Sequence, residues 1–414
     1  MNFGPILVPH DSVASSEFTQ GANISKVSLF PASSALRGAS NSKNVQAQTI
    51  GDDPGTTAIV YCEANFAKMD GKTANGLVRH SEKYEILSVI DSEKAGLDAG
   101  VVLDDVPNGI PVCRDLAEAL KFAGSDTPDY FIFGMAPSSG ILSKKERSLV
   151  LEAIGLGMNI VNGLHEFLND DPEFAAASAR MQVDILDVRR PRAKKDLRMF
   201  TGRIDEVTCP VIAVLGTDGA IGKRTTSTIL TRALNEHGVK AVMVGTGQTG
   251  LIQGARYGIA LDAIPSQFCS GEMESTVVEA FEAENPDVII VEGQGALSHP
   301  AYLTSTFILR GSRPDGVVLQ HAPGRSHLGD FGTVDMPTPA AEINLIQTFA
   351  KTKVIGLTIN HENMTDIEVS SAITKYEGEL GIPATDALTR SPEHLVEMVL
   401  AAFPALNGKL AAIA

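Results

Sequence analysis

The sequence predicts an α/β protein built from two parallel-sheet domains. From Thr57 onward, short apolar runs alternate with helical patterns, and this alternation is typical of parallel sheets that helices cover on both faces. In the second half of the chain, an apolar run leads into the glycine-rich segment Gly216–Thr226, which a helical pattern follows. The 414 residues are enough for two ordinary domains with sizeable cores.

Three parts of the chain are distinguished by their patterns. Residues 1–55 are rich in Ser, Ala, Asn and Gly without a sustained period, so we predict a disordered extension. Residues 56–205 are predicted to form a Rossmann-like α/β domain, and residues 206–414 a P-loop NTPase-like α/β domain.

The first domain is predicted to alternate strands with helices. Strands are expected at Thr57–Tyr61, Glu85–Ile90, Tyr130–Gly134, Asn159–Val161 and Val183–Leu186, an extended piece at Pro111–Cys113, and helices through Leu116–Leu120 and Leu149–Ile154. The basic segment Arg189–Arg203 follows them. Its simplest interpretation is a solvated linker helix; alternatively, some of its arginines reach an anionic ligand at the domain interface, where clefts usually form.

The second domain is again predicted to be α/β. Strands are expected at Val211–Leu215, Ala241–Val244, Val288–Val291, Gly316–Leu319 and Val354–Leu357, and helices at Gly222–Glu236, Met273–Ala283, Ala340–Ala350, Asp366–Leu380 and Glu393–Ala402. Because ligands collect at the carboxyl ends of the strands of an open parallel sheet, residues just after these strands are the candidates for chemistry.

The strand-turn-helix order around Gly216–Thr226 predicts an anion-binding loop. Glycines let successive backbone N–H groups point inward, and the helix N-terminus adds partial positive charge. The predicted contacts come from Gly216, Gly219, Gly222, Lys223, Arg224, Thr225 and Thr226. The usual P-loop has four residues between its glycines and a hydroxyl directly after the lysine. Here five residues separate Gly216 from Gly222, and Arg224 follows Lys223, so anion binding is predicted more strongly than NTP hydrolysis.

Other strand ends also carry unusual groups. Glu292 directly follows an apolar strand, where a carboxylate can hold a metal, activate a nucleophile, or simply cap a helix. His299 and His321 could each act as a general base or make a structural hydrogen bond. Arg325 and Arg313 are candidates for clamping a carboxylate, although a surface arginine explains each as well. Further candidates are Asn360 in the second domain and, in the first, Lys72, whose glycine-flanked segment is either a second anion site or a plain loop and helix start.

Composition narrows the class of protein. The net charge of −16 argues against a nucleic-acid partner, because phosphate backbones require a basic surface. No apolar run reaches the roughly 20 residues that span a bilayer, so no membrane partner is expected. The four cysteines have no metal-type spacing, which indicates reduced thiols in a cytoplasmic protein and no metal site. If the protein is a cytoplasmic metabolic enzyme, a homo-oligomer is expected.

Gly216–Lys223 and Glu292–Gly293 resemble the corresponding motifs of dethiobiotin synthetase and its P-loop relatives, except that Arg224 stands where that family has threonine. A closer resemblance covers residues 57–404. The chain resembles a bacterial two-domain family of unknown function typified by D-glutamate N-acetyltransferase. The segments that carry the resemblance are Lys72–Arg79, Asp187–Pro191, Gly216–Thr226, Gly245–Gly250, Glu292–Pro300 and His321–Arg325.

The resemblance implies transfer of an acetyl group from acetyl-CoA, the co-substrate, to the amine of D-glutamate. A P-loop can hold the diphosphate of coenzyme A without hydrolysing it. Glu292 or His299 would take a proton from the amine, and Asn360 or a backbone N–H would stabilise the thioester oxygen. Lys72, His321 and Arg325 are the expected substrate-binding residues.

Two other functions remain open from the sequence. One is an ATP-dependent ligase or kinase that acts on a small carboxylic acid, with Thr225 or Thr226 placing magnesium. The other is a non-catalytic protein that binds a nucleotide without turnover. Arg224 is the residue that most separates the acetyltransferase from the ligase, because it replaces the hydroxyl that normally holds magnesium.

Overall fold

The structure of the protein is a computed structural model. Two parallel sheets and one short antiparallel hairpin make up the β structure of the residues that it describes. The structure describes residues 55–137 and 139–410. The predicted disordered extension, residues 1–55, therefore lies outside the described residues apart from Gly55. The predicted fold class is confirmed, because both large sheets are parallel and carry helices between successive strands.

The first sheet has six strands in the order β3-β2-β1-β4-β5-β6. The strands are β1 (Thr57–Tyr61), β2 (Glu85–Ile90), β3 (Val112–Cys113), β4 (Tyr130–Phe133), β5 (Asn159–Asn162) and β6 (Ile185–Asp187); the helices are α1 (Lys72–Arg79), α2 (Ala99–Asp104), α3 (Leu116–Ala119), α4 (Lys144–Gly155) and α5 (Pro172–Met181). This is the strand order of a Rossmann sheet, in which the direction of winding reverses between β1 and β4.

The second sheet has seven strands in the order β15-β14-β11-β7-β10-β8-β9. The strands are β7 (Val211–Gly216), β8 (Ala241–Gly245), β9 (Tyr257–Gly258), β10 (Val288–Glu292), β11 (Gly316–His321), β14 (Lys353–Ile359) and β15 (Ala384–Thr385), and β12 (His327–Leu328) pairs with β13 (Phe331–Asp335) in a separate antiparallel hairpin. The helices are α6 (Lys223–Glu236), α7 (Gln248–Gln253), α8 (Ser266–Glu284), α9 (Thr304–Ser312), α10 (Pro339–Phe349), α11 (Asp366–Leu380), α12 (Glu393–Ala402) and α13 (Asn407–Leu410).

Strand β7 is buried along its whole length because helices cover both faces of the sheet. Ala213 and Leu215 belong to the core that α8, α9, α10 and α11 help to form. Ile212 and Val214, which point the opposite way, belong to the core that α6 and α12 complete. This burial holds the carboxyl end of β7, where the glycine-rich loop starts, at the centre of the sheet.

The two domains contact each other through α1 and α7, which follow the carboxyl ends of β1 and β8. The hydroxyl groups of Thr73 and Thr249 are 2.9 Å apart, and the Glu82 N–H donates to the Gln253 carbonyl at 3.0 Å. Ile252 of α7 packs into the hydrophobic core of the first domain. The carboxyl edge of the second sheet therefore faces the first domain across this junction.

The interpretation of Arg189–Arg203 as a linker helix is wrong. The segment contains no α-helix; it has one turn of 3-10 helix at Lys194–Asp196, and a second begins at its last residue, Arg203. Its backbone is bound instead by buried carboxylates of α8: the Arg198 N–H donates to Glu272 at 2.6 Å and the Thr201 N–H to Glu274 at 2.7 Å. These side-chain acceptors replace the carbonyl partners that a helix would have supplied.

All four cysteines are free in the structure. Cys62, Cys113 and Cys269 are buried and Cys209 is partly buried, and burial raises the pKa of each thiol. Within the described residues, none of the helices is long and apolar enough to cross a membrane.

Candidate functional site

The glycine-rich loop joins β7 to α6 at the carboxyl edge of the second sheet. Gly222, with φ of +103°, adopts a backbone conformation that favours glycine, and it directly precedes α6. Lys223 is buried, and its ammonium group donates to the Asp218 carbonyl within the loop. Burial lowers the pKa of Lys223 to about 8, although the charge of Asp218 opposes the shift.

Arg325, a predicted substrate clamp, holds the glycine-rich loop in this structure. Its Nη1 donates to Asp218 Oδ2 and to the Gly219 carbonyl, each at 3.1 Å, and its Nη2 donates to the Ala220 carbonyl at 3.2 Å. Nε and Nη2 also donate to Glu362 Oε2 at 2.9 and 2.7 Å. All five N–H groups of the guanidinium are thus committed, so Arg325 must release an acceptor before it can bind a carboxylate.

Asn360, predicted to stabilise a thioester oxygen, also supports the loop. Its Nδ2 donates to the Ile221 carbonyl at 2.9 Å, and its Oδ1 accepts from the Glu362 N–H at 2.8 Å. The amide therefore ties the turn after β14 to the end of the glycine-rich loop. This arrangement points to positioning of the loop rather than to direct contact with a reacting atom.

The hydroxyl of Thr226 faces the sheet and not the loop. It donates to Gln320 Oε1 at 2.6 Å, and Thr358 donates to the same oxygen at 2.5 Å. The hydroxyl of Thr225 accepts from Arg224 Nη2 at 3.3 Å. In a P-loop, the hydroxyl next to the lysine binds magnesium. In this protein Arg224 stands at that position, and the hydroxyls of Thr225 and Thr226 contact other side chains.

The guanidinium of Arg224 is turned toward the first domain. A Cβ atom on Gly76 of α1 would lie 2.7 Å from Arg224 Nη2, so only glycine permits this approach. Burial lowers the pKa of Arg224 to about 10. Predicted as a cofactor contact, Arg224 thus directs its side chain to the domain junction.

Glu292 ends β10 in a buried position beside α7. Its Oε2 accepts the Thr246 N–H at 3.0 Å, and a side chain at Gly250 would clash with this carboxylate. Burial raises the pKa of Glu292, while the positive charges of Arg224 and Lys223 act in the opposite direction. A buried carboxylate with a raised pKa is well suited to accept a proton.

His299 cannot accept a proton at the nitrogen that faces the loop. Its Nδ1 lies 3.2 Å from the N–H groups of both Ala301 and Tyr302, so Nδ1 must be the acceptor and the neutral ring carries its proton on Nε2. Nε2 is 3.9 Å from Asp218 Oδ1. Burial lowers the pKa of His299, which leaves the ring neutral and able to donate one hydrogen bond.

His321, a predicted substrate contact, is buried at the end of β11. Its Nδ1 is 2.9 Å from the hydroxyl of Thr217 in the glycine-rich loop, and burial lowers its pKa to about 4. On its other side His321 lines a cavity of about 330 Å³ together with Arg325, Thr338 and Lys375.

Lys72 is the predicted site residue that the first domain supplies. Its side chain keeps exposed surface at the start of α1, although the surrounding protein desolvates the ammonium group. That group makes no hydrogen bond or ion pair with the described residues. The desolvating surroundings and the charge of Arg189 lower its pKa, and the charges of Asp330 and Glu292 act against this. Lys72 in turn lowers the pKa of Lys223, so the two lysines share one electrostatic environment.

The charge of Lys223 acts on Glu292 and His299, and those of Lys72 and Glu292 act on Lys223, so these four groups lie near one another. Arg313 lies elsewhere: it precedes β11 at the amino edge of the sheet and pairs with Asp205 at 2.6 Å.

Sequence reasoning gives no role to three groups beside the loop, Asp218, Tyr302 and Asp330, although it notes Asp330 among the polar residues that follow the strands. Tyr302 stacks on His299 and donates to Asp330 of the β12–β13 connection at 2.7 Å. Of these three residues, Asp218 had the clearest signal in the sequence, because it lies inside the glycine-rich loop.

Fold and site together define a two-domain P-loop protein whose loop carries arginine in place of the hydroxyl after the lysine. Two protein-family models match the sequence. The model of the DUF1611 P-loop domain, a domain of unknown function, matches residues 198–396, and the model of the Rossmann-like DUF1611 N-terminal domain matches residues 92–191. The chain belongs to the DUF1611 family.

Two relatives of the chain are named D-glutamate N-acetyltransferase. The chain is 33% identical to the one from Pseudoalteromonas sp over 298 residues, which cover 70% of this chain and 86% of the relative. It is 29% identical to the one from Tritonibacter scottomollicae over 293 residues, which cover 69% and 84%. A crystal structure of a DUF1611 family protein from Anabaena variabilis superposes with a TM-score of 0.77 at 29% identity, covering 84% of this chain and 99% of that one.

Proposed function

We propose that the protein is an N-acetyltransferase that moves the acetyl group of acetyl-CoA to the amine of an acidic amino acid, with D-glutamate as the expected acceptor. The names of two relatives, at 33% and 29% identity, support this acceptor. The structural observation that carries the proposal is the glycine-rich loop, which keeps the phosphate-binding lysine, Lys223, but has Arg224 at the position of the magnesium-binding hydroxyl.

The loop residues fit the diphosphate of coenzyme A. Backbone N–H groups of the loop, the N-terminus of α6 and the ammonium of Lys223 would bind the phosphate oxygens. Binding of a diphosphate needs no hydrolysis, so the commitment of the Thr226 hydroxyl to Gln320 does not impair it. The same commitment weighs against an ATP-dependent ligase or kinase, which needs magnesium at this point.

Glu292 is the base in our proposal. As the amine nitrogen bonds to the carbonyl carbon of the thioester, Glu292 takes the amine proton. The C–S bond then breaks with its electron pair leaving on sulfur, and the protonated Glu292 returns the proton, so that coenzyme A is released as the thiol. His299 does not compete for this role, because its Nδ1 already accepts two backbone N–H groups. We assign its Nε2–H to donation toward the carbonyl oxygen, where negative charge develops.

Lys72 is our choice for binding a carboxylate of the acceptor. It is the candidate cation without a partner among the described residues, whereas every donor of Arg325 is in use. Because Lys72 belongs to the first domain and Glu292 to the second, the acceptor would lie between the two sheets.

The direct test is an acetyl-transfer assay with acetyl-CoA and purified protein, comparing D-glutamate with L-glutamate, D-aspartate and glutarate. We expect N-acetyl-D-glutamate and free coenzyme A in equal amounts, unchanged by a metal chelator. Calorimetry with acetyl-CoA and with magnesium-ATP provides the second measurement. Binding of magnesium-ATP, with no binding of acetyl-CoA and no acetylated product, would overturn the proposal in favour of the ligase.

A further inference from the structure

A second cavity, which we call the junction cavity, lies where α1 and the residues after it meet α6 and α7. Its volume is about 410 Å³. The lining comes from both domains: His80 and Glu82 follow α1, and the remaining lining residues, Arg224 and Gln253 among them, belong to the second domain. The proposed function gives this cavity no role.

Three buried polar atoms around the junction cavity lack a hydrogen-bond partner within the part of the chain that the structure describes. They are Arg224 Nη1, Gln253 Oε1 and His80 Nε2. Gln253 is 5% exposed, and its Nε2 donates to the His80 carbonyl at 3.1 Å, which fixes Oε1 as the unsatisfied end. Unpaired polar atoms in buried positions cost free energy unless something bonds to them.

The charge of the lining favours a negatively charged group. Four basic side chains and two carboxylates line the cavity. The carboxylate of Glu284 is already bound by Arg256, Lys240 and the hydroxyl of Tyr257. Arg224 has no ion pair among the described residues, so its guanidinium is the natural partner of an incoming anion.

The junction cavity is distinct from the proposed acetyl-transfer site. Gly250 of α7 lines the cavity, yet the position that a Cβ atom would take on Gly250 is filled by the carboxylate of Glu292. The backbone of α7 therefore stands between Glu292 and the cavity.

We propose that the junction cavity is a second ligand site, which binds a small α-amino acid. Arg224 Nη1 and Gln253 Oε1 are almost inaccessible in the structure, so the proposal includes a turn of both side chains toward the cavity, where the carboxylate of the ligand pairs with Arg224 and its ammonium donates to Gln253 Oε1. A simple anion would satisfy Arg224 but leave Gln253 Oε1 unpaired, which is why the geometry favours a carboxylate with an adjacent hydrogen-bond donor. This inference does not depend on the proposed acetyl transfer.

The test is calorimetric titration of the full chain with L-glutamate, D-glutamate and glutarate in the absence of acetyl-CoA. We expect an amino acid to bind, with glutarate weaker. Arg224→Gln and Gln253→Met should each weaken binding about tenfold or more, since each removes a charged hydrogen bond. Arg180→Ala, on the exposed surface of α5, is the matched control and should change nothing.

Lys72→Ala separates this site from the acceptor site, because Lys72 does not line the junction cavity. Binding at the junction should survive this substitution and should slow hydrogen exchange in residues 76–82 and 224–235. Absence of amino-acid binding to the wild-type protein would overturn the proposal. Amino-acid binding that is unchanged in both Arg224→Gln and Gln253→Met would also overturn the proposal. The same holds if Lys72→Ala abolishes binding and the ligand slows hydrogen exchange only in residues 245–250 and 292–299.

Discussion

At the scale of single residues, the charge state of Lys223 controls phosphate binding in the proposed function. Burial lowers its pKa to about 8, so the ammonium form still predominates at neutral pH. A bound diphosphate favours that charged form and raises the pKa again. Binding should therefore be coupled to uptake of a proton.

This coupling predicts weaker binding of acetyl-CoA as the pH rises through 8. The dissociation constant of acetyl-CoA should be measured by titration at pH 7, 8 and 9. Above pH 8, where Lys223 loses its proton, it should increase about tenfold for each pH unit. Lys223→Arg, which keeps its charge at pH 9, should give a nearly flat profile. A wild-type profile as flat as that of the arginine variant would contradict the role of Lys223.

Glu292→Gln removes the proposed base while keeping the size of the side chain. We expect turnover to fall by about 10²–10⁴-fold, with the affinity for acetyl-CoA retained. In the wild-type protein, turnover should decline as the pH falls through the raised pKa of Glu292. Glu274→Gln, at another buried carboxylate, is the control. Equal losses in the two variants would indicate an effect on folding.

Site residues that follow a strand could be predicted from the sequence, and their hydrogen-bond partners could not. The apolar run before Glu292 places it at the edge of the sheet, and the glycines before Lys223 mark the loop. The sequence also places Arg325 at this edge, but its acceptor, the Gly219 carbonyl, is 106 positions away. Nothing local in the sequence encodes such a contact.

At the scale of elements, the glycine-rich loop and the turns after β11 and β14 are held together as one unit. Arg325 follows β11 and binds both the loop and Glu362, which follows β14. Asp218, buried within the loop, accepts from Arg325 and, at 2.9 Å, from the N–H of Gly329. Without Arg325, the buried carboxylate of Asp218 would lose its ion pair and keep the hydrogen bond from Gly329.

Arg325→Ala should accordingly destabilise the protein by about 3 kcal/mol, the usual cost of breaking a buried ion pair. Urea unfolding gives the free energy directly. Arg390→Ala breaks the pair with the exposed Asp366 and should cost about 0.5 kcal/mol or less. Comparable losses in the two variants would mean that the clamp on the loop contributes little.

Elements with a clear period match their predicted bounds closely, and elements without one are missed. The strand Glu85–Ile90 and the helices Asp366–Leu380 and Glu393–Ala402 have the bounds that their patterns indicate. Helix α9 is missed because Thr, Ser and Gly residues weaken its helical signal. Helix α8 begins at Ser266, earlier than predicted, and its early residue Glu272 is held by the backbone of the distant segment around Arg198.

At the scale of the whole molecule, two histidines held neutral by their surroundings, the buried His321 and the half-buried His80, contribute to the response to acid. Burial lowers the pKa of both His321 and His80 to about 4, whereas an unfolded chain binds these protons near pH 6.5. The unfolded state therefore binds more protons than the folded state between these values, so the free energy of unfolding falls as the pH drops through this window.

Urea unfolding at pH 7.5, 6 and 5 measures this loss. The free energy of unfolding of the wild-type protein should decrease at each step to lower pH. In the variant His321→Gln, the same decrease in pH should lower it by a smaller amount. An unfolding free energy independent of pH over this range would show that the two rings are not held neutral.

The docking of the two domains is a feature of the whole molecule that sequence reasoning does not reach. Thr73 and Thr249, whose hydroxyl groups meet at the junction, are 176 positions apart. Their contact depends on both folded surfaces, and neither surface is encoded by a local pattern.

The four free thiols have a practical consequence. With raised pKa values and little exposure, they will react slowly with maleimides. Fluorophores can then be attached selectively at one introduced cysteine in each domain, for example Arg180→Cys and Ser371→Cys on exposed helix faces. Energy transfer between the two dyes would report, in the native background, whether the domains approach each other when acetyl-CoA or an amino acid is added.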